Sequence, residues 1–386
     1  MSERAGFVPP PYPHDRLAEL KARAELAPGG LVDVSVGTPV DPLPDVAAAA
    51  MAEATSRATG YPPTIGTPTL RAAASNWMAR RFGVRIGPES VMACIGTKEL
   101  VASLPRLLAL RDPSRDTVLY PAVSYPTYAM GAQLAGLRPV PVPLDDEWHL
   151  DLGAVADEDA ERALVLWVNE PGNPTGSSAS PEHLEAVAAW ARPRGVLVAA
   201  DECYVEFTYD DTGAPSSPAT ILAAGLHGVL AVQSLSKRSN MAGLRAGFVA
   251  GDTDLVGYLG ECRKHGGLMV PAPVQAAAAA ALDDDLHVES QRRRYAARRA
   301  AVMPAMEARG LVHAGGASTF YLWLRRDGSR SDGWDIAAEL AETGLLVAPG
   351  DFYGPDGVPY ARVALTVTDD RLAVALERVA ETPVSR

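Results

Sequence analysis

Lysine is scarce in this chain. Of its 35 lysine and arginine residues, four are lysines (Lys21, Lys98, Lys237 and Lys264) and the rest are arginines. Arginine cannot replace lysine as an amine nucleophile, because its guanidinium group stays protonated. A composition that uses arginine for ordinary positive charge makes each remaining lysine a candidate for chemistry.

Other shortages exclude several classes of protein. The three cysteines (Cys94, Cys203 and Cys262) are odd in number and lack CxxC spacing, so we expect reduced thiols and no disulfide or metal framework. No apolar run reaches about 18 residues and no signal-peptide core is present, which predicts a cytoplasmic protein without a membrane span. The net charge of −12 disfavours broad binding to nucleic acid or membrane surfaces.

Length and pattern indicate two domains. A chain of 386 residues is long for a single core. From residue 91 to about 250, continuous apolar runs alternate with helical stretches, which predicts an α/β fold with a mostly parallel central sheet. The remainder predicts a smaller α+β domain. We expect residues 1–40 to form an N-terminal arm and part of the small domain, 41–275 the large domain, and 276–386 the small C-terminal domain.

The segment of residues 233–245 lies between two apolar runs that read as strands. Lys237 stands at its centre, with Ser234 before it and Arg245 eight residues after it. This arrangement suits an amine that forms an imine beside an anion held by a hydroxyl and a guanidinium. The plain alternative is a surface lysine that follows a strand.

Several chemically useful residues fall at the predicted ends of strands. Gly96, Asn169, Asp201 and Lys237 each follow or end an apolar run. In open parallel sheets, ligands bind beyond the carboxyl ends of the strands. The sequence therefore predicts that these residues share one site.

An imine-forming lysine near phosphate-binding groups points to pyridoxal 5′-phosphate (PLP). The ring nitrogen of PLP needs a carboxylate, for which Asp201 is the candidate, and its phenolic oxygen needs donors, for which Asn173 and Tyr204 are candidates. Tyr125 is the candidate for stacking on the ring. A phosphate needs amides at a helix start, hydroxyls and cations. The candidates for this group are Gly96, Thr97, Lys98, Ser234 and Arg245.

Each candidate also has an ordinary alternative when it is taken alone. Asp201 could cap a helix, Tyr125 could belong to the core, and Arg245 could be one of many solvated arginines. The Asn-Pro-Thr-Gly stretch at residues 173–176 is a plausible turn in any protein. The joint pattern, in this order and at strand ends, favours the cofactor site.

The motif series resembles the fold-type I PLP-dependent aminotransferases of classes I and II, over nearly the whole chain. It consists of Asn-Pro-Thr-Gly at 173–176, Asp-x-x-Tyr at 201–204, Ser-x-x-Lys at 234–237, and an arginine eight residues after the lysine. The resemblance implies Lys237 as the lysine that holds PLP, and Arg362 with the Gly37 amide as the site of the substrate α-carboxylate. It also implies a homodimer with composite sites, in which Tyr61 reaches a phosphate across the subunit boundary.

Four stretches resemble the actinobacterial N-succinyldiaminopimelate aminotransferases of lysine biosynthesis, namely 35–42, 234–240, 263–273 and 347–355. This resemblance implies N-succinyl-2-amino-6-ketopimelate as acceptor and glutamate as donor. Aspartate-type members have an arginine for the distal carboxylate, whereas Gly266 or Gly267 occupies that place here. Candidate cations for a distal carboxylate are Lys98, Arg238 and Lys264, each of which could instead be an ordinary salt-bridge partner.

Other functions remain open within and outside this resemblance. Within it, the alternatives are a kynurenine/glutamine-type or broad-specificity aminotransferase, followed by a carbon–sulfur lyase. An alternative from a different class is a non-catalytic PLP-fold regulator that binds DNA. The acidic composition disfavours the regulator. A dinucleotide dehydrogenase and a phosphate-loop NTPase are disfavoured because neither glycine-rich phosphate motif is present.

Overall fold

The computed structural model describes residues 6–210, 212, 214, 216, 218–328 and 332–383. Within these residues the α-helices, in chain order, are α1 (Ala18–Glu25), α2 (Asp45–Thr55), α3 (Pro68–Phe82), α4 (Thr97–Arg111), α5 (Thr127–Leu134), α6 (Asp157–Arg162), α7 (Pro181–Ala191), α8 (Leu235–Arg238), α9 (Thr253–His265), α10 (Ala272–Asp283), α11 (Leu286–Glu307), α12 (Gly333–Glu342) and α13 (Asp369–Glu381). The strands are β1 (Val32–Asp33), β2 (Val91–Cys94), β3 (Thr117–Pro121), β4 (Arg138–Val142), β5 (Ala163–Asn169), β6 (Leu197–Asp201), β7 (Val229–Ser234), β8 (Gly247–Gly251), β9 (Leu311–His313), β10 (Tyr321–Arg326), β11 (Leu345–Leu346), β12 (Ala348–Pro349) and β13 (Tyr360–Ala364).

Local sequence sets the ends of α3. Thr67 caps its N-terminus by accepting a hydrogen bond from the Leu70 amide at 3.3 Å, and Pro68 occupies the first turn. Proline suits this position because the first helical amides have no partner inside the helix. Gly83 follows the last residue with a φ of 70°, the left-handed conformation that commonly ends helices.

A seven-stranded sheet forms the centre of the large α/β region. Its strand order is β2-β8-β7-β6-β5-β3-β4. All neighbouring pairs are parallel except the two that involve β8, which is antiparallel to β2 and to β7. The prediction of a mostly parallel central sheet is therefore confirmed, and the carboxyl ends of β2, β5, β6 and β7 lie along the same edge.

Both faces of this sheet are buried. In β7, Val229 and Ala231 belong to one apolar cluster, whereas the alternating residues Leu230 and Val232 belong to a second cluster. Successive side chains of a strand point to opposite faces, so the two clusters cover the two sides. This explains why the strands read as continuous apolar runs in the sequence.

The smaller α+β region contains a four-stranded antiparallel sheet of order β12-β13-β10-β9. Trp323 on β10 lies opposite Arg362 on β13. Tyr321 is therefore a diagonal neighbour of Arg362, within reach of its long side chain. The N-terminal segment pairs with the C-terminal part of the chain through the parallel strands β1 and β11.

Residues 31–39 form the two-residue strand β1 and then a bend. The Asp33 carboxylate accepts hydrogen bonds from the Ser35 amide at 2.9 Å and from its hydroxyl at 2.6 Å. Such side-chain bonds to nearby backbone compete with a strand ladder. After the bend, Gly37 lines the cavity described below.

The helices α10 and α11 are separated at the acidic residues 283–285. Lys237 lies on the single helical turn α8 between the two strands β7 and β8. The division of the chain at residues 40 and 275 stays a prediction. No helix in the described ranges is long and apolar enough to cross a membrane.

Candidate active site

A cavity of about 260 Å³ lies at the carboxyl edge of the central sheet. Concave sites in this position are where small ligands bind α/β proteins. Eleven of the thirteen predicted site residues line it, namely Gly37, Thr97, Lys98, Tyr125, Asn173, Asp201, Tyr204, Ser234, Lys237, Arg245 and Arg362. Gly96 directly precedes the lining residue Thr97, whereas Tyr61 lies outside the cavity.

Lys237 enters the cavity from α8, directly after β7. Its Nζ donates a hydrogen bond to the carbonyl oxygen of Gly37. The same nitrogen lies 6.0 Å from the ring centre of Tyr204 and 5.8 Å from that of Phe320. No carboxylate of the described residues forms an ion pair with it. The amine is thus held among carbonyl and aromatic groups that leave it available for chemistry.

Asp201 ends β6 and is almost completely buried. One carboxylate oxygen accepts a hydrogen bond from the Tyr128 hydroxyl at 2.9 Å, and the other accepts one from the Cys203 amide at 3.2 Å. Burial raises the pKa of Asp201, while the bonds from Cys203 and Tyr128 act in the opposite direction. A buried carboxylate of this kind favours a cationic partner, which a protonated pyridine ring can provide.

The start of α4 forms an anion cradle with the segment that follows α8. Gly96 is the N-cap of α4 and has a φ of 68°, a left-handed conformation that favours glycine, and the Arg245 guanidinium packs against its Cα. The buried Oγ of Ser234 has no hydrogen-bond partner among the described residues. A helix N-terminus, an unused hydroxyl and a guanidinium together fit a phosphate group. The residues present therefore fit PLP at both its ring and its phosphate.

Arg362 is buried at the other side of the cavity, with 4% of its surface exposed. Its Nη1 donates to Oδ1 of Asn173 at 2.8 Å, and its Nη2 donates to the Ser35 carbonyl at 2.6 Å. The rings of Tyr321 and Tyr353 lie 4.1 Å and 4.9 Å from its guanidinium carbon. Its buried Nε has no partner in the described part of the chain.

No acidic side chain of the described residues forms an ion pair with Arg362. A buried charge without a counter-charge is unfavourable, because the interior solvates it poorly. An anionic ligand with carboxylate geometry would supply the missing counter-charge and could bind the guanidinium through two parallel hydrogen bonds.

Gly37 contributes its carbonyl oxygen to the cavity, in addition to the amide role that the resemblance implies. Its carbonyl oxygen accepts from Lys237, and a Cβ on this residue would lie 1.8 Å from the Tyr321 hydroxyl. The close approach of that hydroxyl therefore requires glycine. The role of the Gly37 amide stays a prediction.

The three candidate cations for a distal carboxylate lie in different places. Arg238 is buried away from the cavity and forms ion pairs with Glu206 at 3.2 Å and Asp285 at 3.1 Å. Lys264 is exposed and lies 3.5 Å from Glu261. Lys98 lines the cavity, so the structure leaves it as the candidate of the three that faces a ligand.

The N-terminal arm closes one side of the cavity, which sequence reasoning did not predict. Tyr12 and His14 line it, and the Lys98 amine donates to the Tyr12 hydroxyl at 3.2 Å. Arg16 fixes the arm through an ion pair with Asp351 at 2.9 Å. The proline-rich arm has no periodic pattern, so the sequence carries no signal of where it packs.

Tyr128 and Tyr321 are further cavity residues that the prediction missed. Tyr128 lies in the first turn of α5, and Tyr125 precedes that helix. Neither the position of Tyr128 nor that of Tyr321, in a strand of ordinary apolar pattern, carries a signal in the sequence that the residue lines the cavity. Among the described residues, no group of three or more histidine, cysteine or acidic residues is arranged to hold a metal ion.

A mostly parallel α/β sheet with a lysine, a buried carboxylate and a phosphate cradle at its carboxyl edge defines a fold-type I PLP enzyme. Residues 30–379 match the family model of aminotransferase class I and II. The chain belongs to this family of PLP-dependent aminotransferases.

Three similar proteins extend over nearly the whole chain. The chain is 45% identical over 370 residues to 4-dedimethylamino-4-oxo-anhydrotetracycline transaminase OxyQ of Streptomyces rimosus, covering 96% of this chain and 99% of that protein. It is 47% identical over 376 residues to the probable aminotransferase Rv1178 of Mycobacterium tuberculosis, covering 96% and 85%. It is 36% identical over 377 residues to an LL-diaminopimelate aminotransferase of Desulforudis audaxviator, covering 96% and 95%.

Solved structures are similar over the same extent. Substrate-bound BacF from Bacillus subtilis has a TM-score of 0.87 at 26% identity and covers 97% of both chains. A probable N-succinyldiaminopimelate aminotransferase from Thermus thermophilus has a TM-score of 0.83 at 31% identity, covering 95% of this chain and 98% of that one. The fold is therefore shared over at least 95% of the chain, and the family model matches residues 30–379.

Proposed function

We propose that this aminotransferase holds PLP through Lys237 and acts as N-succinyl-LL-2,6-diaminopimelate:2-oxoglutarate aminotransferase, in the lysine and diaminopimelate pathway. The observation that carries the reaction class is the buried guanidinium of Arg362, which has no acidic partner among the described residues. The α-carboxylate of an amino acid or 2-oxo acid supplies that partner. The names of two similar proteins, at 36% and 31% identity, support a substrate of the diaminopimelate type.

The chain's own groups divide the work of amino transfer. When bound, PLP supplies an electron sink that stabilises negative charge at the substrate α-carbon. Lys237 accepts and returns the proton at that carbon as general base and acid. Asp201 would keep the ring nitrogen of bound PLP protonated, and Arg362 would hold the substrate carboxylate and so orient the α-carbon. Tyr125 would pack on the ring, and Asn173 and Tyr204 would donate hydrogen bonds to its phenolic oxygen.

The far end of the substrate lies towards the arm. Lys98 has no ion-pair partner among the described residues, and its amine lies 4.8 Å from the ring centre of Tyr12 and 6.0 Å from that of Tyr125. A diaminopimelate-type acid carries an additional carboxylate remote from the reacting carbon. We assign that carboxylate to Lys98 and the Tyr12 hydroxyl, which together provide a cation and a neutral donor.

A half-reaction screen tests the reaction and the substrate together. Purified holoenzyme is mixed with each candidate amino donor alone, and the cofactor spectrum reports conversion to the amine form. We expect rapid conversion by N-succinyl-LL-diaminopimelate and by glutamate. No conversion by either contradicts the substrate assignment, and release of ammonia and pyruvate without an acceptor indicates a carbon–sulfur lyase instead.

The distal assignment has its own matched pair of variants. Lys98→Met keeps the length of the side chain and removes its charge, and Lys264→Met makes the same change on the exposed surface. We expect Lys98→Met to raise KM for diaminopimelate-type substrates by about tenfold or more, the effect of one hydrogen bond to a charged group, and to spare short amino acids. Equal KM values in the two variants would contradict the assignment of the distal carboxylate to Lys98.

A second candidate substrate is an oxo-anhydrotetracycline, because OxyQ is named for that reaction and is 45% identical over 96% of this chain. The same spectroscopic screen distinguishes the two. The enzyme is first converted to its amine form with glutamate, and the ketone is then added. Recovery of the original spectrum with this ketone, and not with N-succinyl-2-amino-6-ketopimelate, favours the second candidate.

We also propose a homodimer in which Tyr61 completes the partner subunit's phosphate site. Tyr61 is 96% exposed and lies outside the cavity of its own chain, as a residue that serves another subunit would. Mixing inactive Tyr61→Ala and Lys237→Ala subunits tests this arrangement. Hybrid dimers contain one site with both native residues, so we expect partial recovery of activity; no recovery contradicts the shared site.

A further inference from the structure

Tyr321 connects three parts of the cavity. Its hydroxyl oxygen lies 2.9 Å from that of Tyr204, within hydrogen-bond distance. Its ring lies 4.1 Å from the guanidinium carbon of Arg362, and its hydroxyl fills the space beside the Cα of Gly37. Tyr321 itself is 2% exposed, so these contacts fix its position.

The direction of the bond between the two tyrosines follows from a count of protons. Each tyrosine hydroxyl has one proton to donate. In the proposed function, the Tyr204 hydroxyl donates a hydrogen bond to the phenolic oxygen of the cofactor. The Tyr204 oxygen can then bond to Tyr321 solely as an acceptor, and Tyr321 must be the donor.

We infer that Tyr321 is a positioning residue. Its hydroxyl donates a hydrogen bond to the Tyr204 oxygen and thereby directs the Tyr204 hydroxyl hydrogen towards the cofactor. The inference rests on the proposed function, because it requires PLP beside Tyr204. It also gives Arg362 a physical connection to that donor, since the same tyrosine ring packs against the guanidinium.

Removal of the Tyr321 hydroxyl should change the acid–base behaviour of the bound cofactor. Hydrogen bonds in a chain polarise one another, so donation by Tyr321 strengthens donation by Tyr204. A stronger donor stabilises negative charge on the phenolic oxygen and favours the deprotonated form of the cofactor. Loss of the donor therefore raises the pH at which the visible absorption band titrates.

The test is Tyr321→Phe, which keeps the ring against Arg362 and removes only the hydroxyl. Tyr353→Phe is the matched control, because Tyr353 also packs on Arg362, and its buried hydroxyl has no partner among the described residues. Spectrophotometric pH titration of each holoenzyme gives the midpoint of the visible band. For Tyr321→Phe we expect an upward shift of about 0.5 pH unit, or about threefold in the equilibrium, and no shift for the control.

A double-mutant cycle isolates the contact between the two tyrosines. Tyr204→Phe should shift the midpoint in the same direction by more, and adding Tyr321→Phe to it should cause no further shift. Equal midpoints for wild type and Tyr321→Phe overturn the inference, and so does an additive double variant. A wild-type protein that binds PLP without a visible band, or a Lys237→Ala variant that keeps the band, contradicts the proposed function instead.

Discussion

Arg362 and Asn173 are joined by a hydrogen bond of 2.8 Å between Nη1 and Oδ1, although 189 positions separate them in the chain. The bond connects β13 of the smaller sheet to the loop that follows β5 of the central sheet. It also joins the group proposed for the substrate α-carboxylate to one proposed for the cofactor. In the proposed function, the residue that binds the substrate carboxylate is therefore in direct contact with a residue that binds the cofactor.

Replacement of Arg362 tests the carboxylate site. Arg362→Gln removes the charge and weakens the pair of hydrogen bonds available to a carboxylate, each worth about 1.5–3 kcal/mol. We expect KM for every carboxylate substrate to rise by about 100-fold, measured by steady-state kinetics with several amino acids. Arg57→Gln is the surface control, since Arg57 is exposed and pairs with Glu53. An unchanged KM in Arg362→Gln discards the carboxylate role.

Replacement of Lys237 tests the chemical step. Lys237→Ala removes the amine that holds the cofactor and moves the proton, so we expect loss of the visible absorption of the lysine-linked cofactor. Turnover should fall by more than about 10⁴-fold, the upper range for general acid–base catalysis. Lys264→Ala, at an exposed lysine on α9, should keep both the spectrum and the turnover. Near-normal turnover in Lys237→Ala is incompatible with the assignment.

The sequence predicts well which residues lie at the carboxyl edge of the central sheet, because parallel strands all end at that edge. Asn169 and Asp201 end neighbouring strands and lie opposite each other in register. Apolar runs that end in a polar residue therefore locate these side chains without any tertiary information. The same reasoning places Ser234 at the end of β7.

Contacts between distant segments could not be predicted in this way. The Tyr128 hydroxyl reaches Asp201 across 73 positions, and the arm reaches Lys98 across 86 positions. Adjacent residues can also face different surroundings. Lys237 lines the cavity, whereas Arg238 is buried outside it and forms ion pairs. Consecutive residues of a helical turn point about 100° apart, and spacing alone does not indicate which one faces the ligand.

The hydroxyl of Tyr128 should set the acidic limit of activity. Its bond to Asp201 favours the charged carboxylate, while burial raises the pKa of that group. Tyr128→Phe removes the bond and leaves the burial, so the pKa of Asp201 should rise further. We expect the acidic limb of the kcat profile to move to higher pH by about 1 unit. Tyr120→Phe, at a half-buried tyrosine outside the cavity, should leave the limb in place; a limb that is unmoved in Tyr128→Phe contradicts this coupling.

A second pH effect concerns the stability of the fold and involves His149 and Glu170, beside the loop that carries Asn173. Nδ1 of His149 lies 3.0 Å from Oε1 of Glu170, whose other oxygen accepts from the Ala179 amide at 2.9 Å. The bond to Glu170 raises the pKa of His149, and burial raises the pKa of Glu170. Glu170 therefore spans the loop that carries Asn173, with His149 as its charged partner.

The sign of this effect follows from linkage. His149 has a higher pKa in the folded than in the unfolded chain, so its stabilisation is fully present below the unfolded value of about 6.5 and is lost as pH rises through the folded value. His149→Gln should lower Tm by about 3 °C at pH 6, the effect of one charge-assisted hydrogen bond, and by less at pH 8. His265→Gln, at an exposed histidine, is the matched control for thermal scans at both pH values. A Tm difference that is equal at pH 6 and pH 8 would mean that His149 acts by packing and not by charge, because packing does not titrate.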